Sequence, residues 1–182
     1  MVDDYMASDT FLSFAFGSTI RKVAANIFDC IDEQIIISFR FFRLDLPNNF
    51  KKDEERLLLP WHQEYSYFKP LKNCSPNSIV LTIPFYDCKK DNGCLIIGKK
   101  SHLDGLKRHN KFVIDKKNNK HIRTKCSPPK DIDYLETSFG DGQLIHFMTK
   151  HASGTNKSKI ARGSLLVRLS CKSDPDFIPG IL

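Results

Sequence analysis

The 182 residues suffice for one domain with a sizeable core and are too few for two comfortable ones. A composition of 41% hydrophobic and 27% charged residues excludes a wholly disordered chain, and no apolar run approaches the roughly 20 residues that cross a membrane. The formal charge is +7, and eleven Lys/Arg against two acids between Lys99 and Lys130 more than account for it. That segment suits a solvated loop or a lid that attracts an anion. With Phe112 as its one aromatic, it suits nucleic acid poorly.

In chain order, Ile20, Val23, Ala24, Ile27, Phe28 and Ile31 recur at helical spacing, with Ser18 or Thr19 available as N-cap. Gln34 to Leu46 is rich in Ile and Phe without helical spacing and reads as a buried strand ending at Pro47. The polar run 48–56 reads as a loop, and Leu57 to Phe68 as a strand. Ser78 to Asp87 is a strand whose Pro84 places it at an edge or a bulge. Asp91-Asn92-Gly93 turns the chain into a short strand at Cys94 to Ile97. The basic segment follows and closes at Pro128-Pro129. Gly140-Asp141-Gly142 is a turn before a strand over Gln143 to Phe147. Ala161 to Cys171 alternates Arg162, Ser164, Leu166 and Arg168 against Gly163, Leu165, Val167 and Leu169, so the two sets face opposite sides. Many short strands separated by turns point to a sandwich or jelly roll.

The six cysteines (Cys30, Cys74, Cys88, Cys94, Cys126, Cys171) form no C-x-x-C pair, which argues against a zinc ribbon or a dithiol redox centre. The first ten residues carry Asp3, Asp4 and Asp9 and lack the basic start of a signal peptide. Reduced thiols and a cytoplasmic location are therefore expected.

The chemistry-bearing feature is Trp61-His62-Gln63-Glu64. On an extended strand residues i and i+2 share a face, so His62 and Glu64 are placed to grip one ion. A later histidine, His151 or its competitor His146, completes two imidazoles and one carboxylate. His146 and His151 are five apart, and on a regular strand they face opposite ways. Two histidines and a carboxylate form the facial triad of non-haem iron sites, which leaves coordination positions open.

Several further motifs stand in order around this pair. They are Leu-Pro-Trp-His-Gln-Glu at 59–64, Asp-Asn-Gly-Cys-Leu at 91–95 and Lys-Ser-His at 100–102. Gly-Asp-Gly-Gln-Leu-Ile-His-Phe at 140–147 follows, then His-Ala-Ser-Gly-Thr-Asn at 151–156 and the run from Arg162 to Arg168. Over roughly residues 18 to 171 the chain resembles the phytanoyl-CoA dioxygenase-like branch of the Fe(II)/2-oxoglutarate oxygenases. The resemblance implies a mainly β fold, a double-stranded β-helix (jelly roll, cupin-like) with the N-terminal helix packed against it. One domain over 1–182 is expected, with the basic stretch at about 99–130 as a lid-like insertion.

By the same resemblance the metal ligands are His62, Glu64 and His151, and Arg162 grips the far carboxylate of 2-oxoglutarate, with Arg168 on the same face as the fallback. Gln63, Ser153 and Thr82 match positions around the cosubstrate, and no catalytic residue beyond the ligands is assigned. The implied activity is a dioxygenase that uses Fe(II), 2-oxoglutarate and dioxygen to hydroxylate a small organic substrate. An anionic or carrier-linked substrate suits the basic segment, and neither nucleic acid nor membrane is expected as a partner. Glu64 stands where the family usually has Asp, and the region before His62 is shorter than usual. The alternative is a metal-binding jelly roll with weak or lost turnover.

Overall fold

The computed structural model describes residues 9–47, 58–114 and 121–180. The polar run expected as a loop at 48–56 lies outside them. The described elements are two helices, α1 (Asp9–Ala15) and α2 (Ser18–Phe28), then β1 (Ile35–Asp45) and a one-turn helix α3 (Glu64–Phe68). Eight further strands follow: β2 (Ile79–Pro84), β3 (Leu95–Gly98), β4 (Asn110–Ile114), β5 (His121–Lys125), β6 (Ile132–Leu135), β7 (Gln143–His146), β8 (His151–Ser153) and β9 (Arg162–Cys171). All pair antiparallel, in sheets ordered β1-β9-β2-β7, β6-β3-β8 and β4-β5. This is the mainly β, cupin-like architecture with an N-terminal helix against its larger sheet.

The larger sheet has one apolar side and one mixed side because β9 alternates as its sequence requires. Leu165, Val167 and Leu169 are fully buried against Ile79, Leu81 and the α2 residues Ile20, Ala24 and Ala25. Arg162, Ser164, Leu166 and Arg168 project to the other side, into a cavity between the sheets. Beside that cavity a second core of Tyr65, Phe68, Val80, Ile145 and Phe147 fixes α3. Removing three such leucine-sized side chains from water contributes about 1.5–3 kcal/mol each, which holds β9 in one register.

Four local expectations change. The α2 N-cap is Gly17, with no side-chain cap; Ser18 and Thr19 lie within the helix. Val23 and Ile27 stay 41% and 47% exposed, because small Ala24 and Ala25 let the helix sit close to the sheet on a narrower face. Strand β1 is an edge strand, half-covered rather than buried, with Phe39 and Phe41 46% and 40% exposed. A register shift between Ile37 and Phe39 re-phases it. Ile37 packs on the α2 side, whereas Phe39, Phe41 and Arg43 line the cavity. Strand β2 is central, and Pro84 ends it two residues beyond the last β7 pair at Thr82–Gln143, where no neighbour on that side needs an N–H.

Candidate metal centre

The two histidines meet as a cross-strand pair. His62 N–H donates to His151 O at 3.0 Å and His151 N–H to His62 O at 2.9 Å, an isolated antiparallel bridge that sets the rings 4.2 Å apart. Over its described residues, 58–68, the segment is therefore not the strand expected for Leu57 to Phe68. Gln63 is extended, and the chain then coils into α3, whose first residue is Glu64. The carboxylate reaches the histidines from the start of a helix, and Tyr65 and Phe68 on that helix anchor it in the core.

His62, Glu64 and His151 bring one ligand atom each to within 4.8 Å of one another, and all three are buried. His62 Nδ1 lies 2.7 Å from Pro60 O and His151 Nδ1 2.9 Å from Thr149 O. A carbonyl can only accept, so each Nδ1 carries the proton and each Nε2 is left as a lone-pair donor. Burial first, and His151 beside it, lower the pKa of His62 to about 3; burial likewise lowers that of His151. Both imidazoles are neutral at physiological pH, as metal ligation requires. Burial alone would raise the Glu64 pKa, but the Arg168 guanidinium that donates to it outweighs burial and holds the carboxyl below its ordinary 4.5. The donor set fits a divalent iron: two neutral nitrogens, one carboxylate and an open side.

That open side faces a cavity of about 420 Å³. One end holds Arg162, Ser164, Ser153, Thr82 and Gln143; the other holds Arg168, Phe39, Phe68, Tyr67 and Leu71. Arg162 donates to Asp45 Oδ2 at 2.6 Å, to Gly93 O at 2.8 Å, to Ser164 Oγ at 3.0 Å and to Asn92 O at 3.3 Å. Ser164 is left with its own hydroxyl hydrogen to donate. An arginine and a hydroxyl two residues apart on one strand face form a pair that fits a ligand carboxylate. Glycines make this end possible. Gly93 adopts φ +86°, and a Cβ on Gly154 would lie 2.3 Å from Cys94 O, so the turns carrying the Arg162 acceptor and Ser153 pack backbone to backbone.

Among the expected cosubstrate residues, Arg162, Ser153 and Thr82 line the cavity. Ser153 Oγ accepts from Arg43 at 2.9 Å and from the Leu59 N–H at 3.1 Å. Gln63 is fully buried and does not line it. Its amide donates to Met148 O and Gly105 O and accepts from the Lys107 N–H, clipping the basic segment to the metal-bearing segment. Tyr67 reinforces the clip, accepting from the Thr124 N–H at 2.8 Å. The basic segment thus reaches the site structurally: the β4–β5 hairpin sends Arg123 to the cavity wall. Sequence reasoning found β1 as a strand but gave it no part in the site. Arg43 and Asp45, an acid and a base two apart at a strand end, were the available signal for the ion pair that holds Arg162.

The model of the phytanoyl-CoA dioxygenase (PhyH) family matches residues 5–164. No curated protein sequence matches the chain. Among solved structures, EvdO2 from Micromonospora carbonacea var. aurantiaca, also determined with 2-oxoglutarate, superposes with TM-score 0.63 at 20% identity over 93% of this chain and 63% of its own. The epimerase SnoN, in complex with Fe3+, α-ketoglutarate and nogalamycin RO, gives TM-score 0.66 at 15% identity over 94% and 62%. The non-heme monooxygenase ThoJ gives 0.66 at 14% over 88% and 55%. The chain thus spans less than two thirds of each of these proteins, and the likenesses speak for a shared fold. With the family model covering most of its length, the chain belongs to the phytanoyl-CoA dioxygenase family.

Proposed function

We propose that the protein is an Fe(II)- and 2-oxoglutarate-dependent dioxygenase that hydroxylates a small organic substrate. The observation that carries this reading is the convergence of three buried ligand atoms in the wall of a cavity that the Arg162–Ser164 pair also lines. Bound iron would bring dioxygen, the oxidant, together with 2-oxoglutarate, which supplies two electrons; one oxygen atom would enter succinate as carbon dioxide leaves and the other the substrate C–H bond.

The chain's own residues do the rest. His62, Glu64 and His151 hold the metal by one face. Arg162 and Ser164 take the far carboxylate of the cosubstrate, with Thr82 and Ser153 along its wall. Asp45 and Arg43 keep the Arg162 guanidinium in place. Gln63 serves as the clip for the basic segment at Gly105 and Lys107, and we read the described parts of that segment, 99–114 and 121–130, as a cover that excludes water from the site. The six cysteines are all free thiols, which suits a cytoplasmic setting.

The test is 2-oxoglutarate turnover. Wild-type protein with Fe(II), ascorbate and oxygen should release succinate, slowly without substrate and faster with it, and Glu64→Ala and His151→Ala should release none. Wild type that matches those variants under every condition contradicts the reading.

A further inference from the structure

Arg168 is 8% exposed and lines the cavity. Its Nη2 donates to Glu64 Oε1 at 3.0 Å. A guanidinium has five N–H donors, and those on Nε and Nη1 have no hydrogen-bond partner among the described residues. Burying an ionised donor without an acceptor is costly, so such a group is an unfinished contact. The rings of Phe39 and Phe68, in edge-to-face contact with each other, stand 5.6 and 5.4 Å from its guanidinium carbon. A phenyl ring offers a cation its π face and no lone pair, so these neighbours leave the Nε and Nη1 hydrogens without an acceptor.

Building on the oxygenase reading, we propose that Arg168 anchors the carboxylate of the substrate, which is an organic monoacid with an apolar body. Among the described residues four arginines, Arg43, Arg123, Arg162 and Arg168, line the cavity, against one lining carboxylate, Glu64. Asp45 serves the Arg162 end only. Arg162 and Arg168 stand six residues apart on one strand, about 20 Å along it, so one dicarboxylate at the far end leaves Arg168 unserved. A single negative charge suits the place better than a phosphate dianion, because Glu64 is a contact neighbour and would repel the second charge. Phe39, Phe41, Phe68 and Leu71 give the body of the acid an apolar wall.

Calorimetric titration of the full chain, loaded with nickel(II) and 2-oxoglutarate so that no turnover occurs, reads the anchor. The probes are hexanoate and phenylacetate, each against its uncharged amide. The acids should bind at least about tenfold more tightly than the amides, the worth of one charged hydrogen bond. Arg168→Gln, once shown to hold one nickel per chain, should abolish that ratio while binding 2-oxoglutarate within about twofold of wild type, and Arg168→Met, whose apolar side chain suits the neighbouring phenyl rings, repeats the test if the first variant does not fold or load. Equal affinity for acid and amide in wild type, no binding of either acid, or a ratio that survives both substitutions overturns the proposal. Tighter binding of hexyl phosphate than of hexanoate overturns it in favour of a phosphate site. A parallel loss of 2-oxoglutarate affinity overturns it by giving Arg168 to the cosubstrate. Wild type that binds no 2-oxoglutarate counts against the oxygenase reading alone, because the acid-to-amide ratio is still measurable on the nickel-loaded chain.

Discussion

Two arginines on one face of β9 meet opposite treatment, and the cause is the residue that β1 sets across from each. Asp45 pairs with Arg162 and Phe39 with Arg168. The carboxylate gives Arg162 an acceptor at 2.6 Å, and backbone carbonyls occupy further donors, so that end of the cavity is a finished, rigid network. The phenyl ring gives Arg168 a π face and no acceptor, so its remaining donors depend on Glu64 and on whatever enters the cavity. A single alternation in β1 thus separates a preorganised anchor from a responsive one. Burial of charge costs most where it is least paired, and here the unpaired end lies beside the metal ligands.

The comparison breaks most visibly at Glu64, which serves both the metal and Arg168. Glu64→Ala should lower iron affinity by more than the roughly 10–100-fold that loss of an outer-shell partner causes, since a ligand itself is gone. Competitive metal titration measures this, and an affinity within tenfold of wild type would contradict the triad. Next in size is Asp45→Asn, which takes the carboxylate away from the buried Arg162 and the part-buried Arg43. Urea denaturation of the metal-free protein should show a loss of about 3–5 kcal/mol, the usual cost of breaking a buried pair. Saturating 2-oxoglutarate with metal should restore part of it.

Arg162→Met should weaken 2-oxoglutarate binding by about 10- to 100-fold, the equivalent of roughly 1.5–3 kcal/mol for a charged contact. Arg168→Met should leave it nearly unchanged, and equal losses in both would erase the distinction between the two ends. The pH dependence follows from the histidines. Burial foremost, with His151 second, keeps His62 neutral down to about pH 3, and burial lowers His151 as well, while an unfolded histidine takes up its proton near the ordinary 6.5. The unfolded chain then binds more protons than the folded one, so stability of the metal-free protein should fall as pH drops from about 6.5 toward 3. Glu64 adds in the same direction at the acid end: its depressed pKa stabilises the fold above 4.5 and that contribution is lost as pH falls through the lower folded value. Urea midpoints at pH 7.5, 6 and 5 that do not decline would contradict the burial of these groups. The smallest effect is expected from Glu64→Asp, which withdraws the carboxylate by about one bond from both metal and Arg168 and should change iron affinity only a few-fold.

Much of the fold was legible because β9, β2 and α2 obey simple periods. The alternation of Arg162 through Leu169 assigned every side chain to the side it occupies, and Ile20 with Ala24 marked the buried helical face. The ligand set was legible too, through motif order. The route by which the ligands meet was not. His-x-Glu spacing reads as one strand face, but the histidines pair across two segments and Glu64 begins a helix, because Tyr65 and Phe68 have a core to fill that local spacing does not reveal. The bulge after Ile37 hid the cavity wall of β1 in the same way, since one extra residue reverses the faces of Phe39, Phe41 and Arg43. Gln63 resembled a cosubstrate contact by position, yet the segment 105–109 folds back and takes its amide.

The most direct measurement is an anaerobic titration of the metal-free protein with Fe(II) in the presence of 2-oxoglutarate, followed in the visible. Chelation of the keto acid by iron held at His62, Glu64 and His151 should give a weak charge-transfer band that saturates at one iron per chain and is missing in His151→Ala. Iron that binds wild type without producing the band, or a band that persists in His151→Ala, would contradict the account.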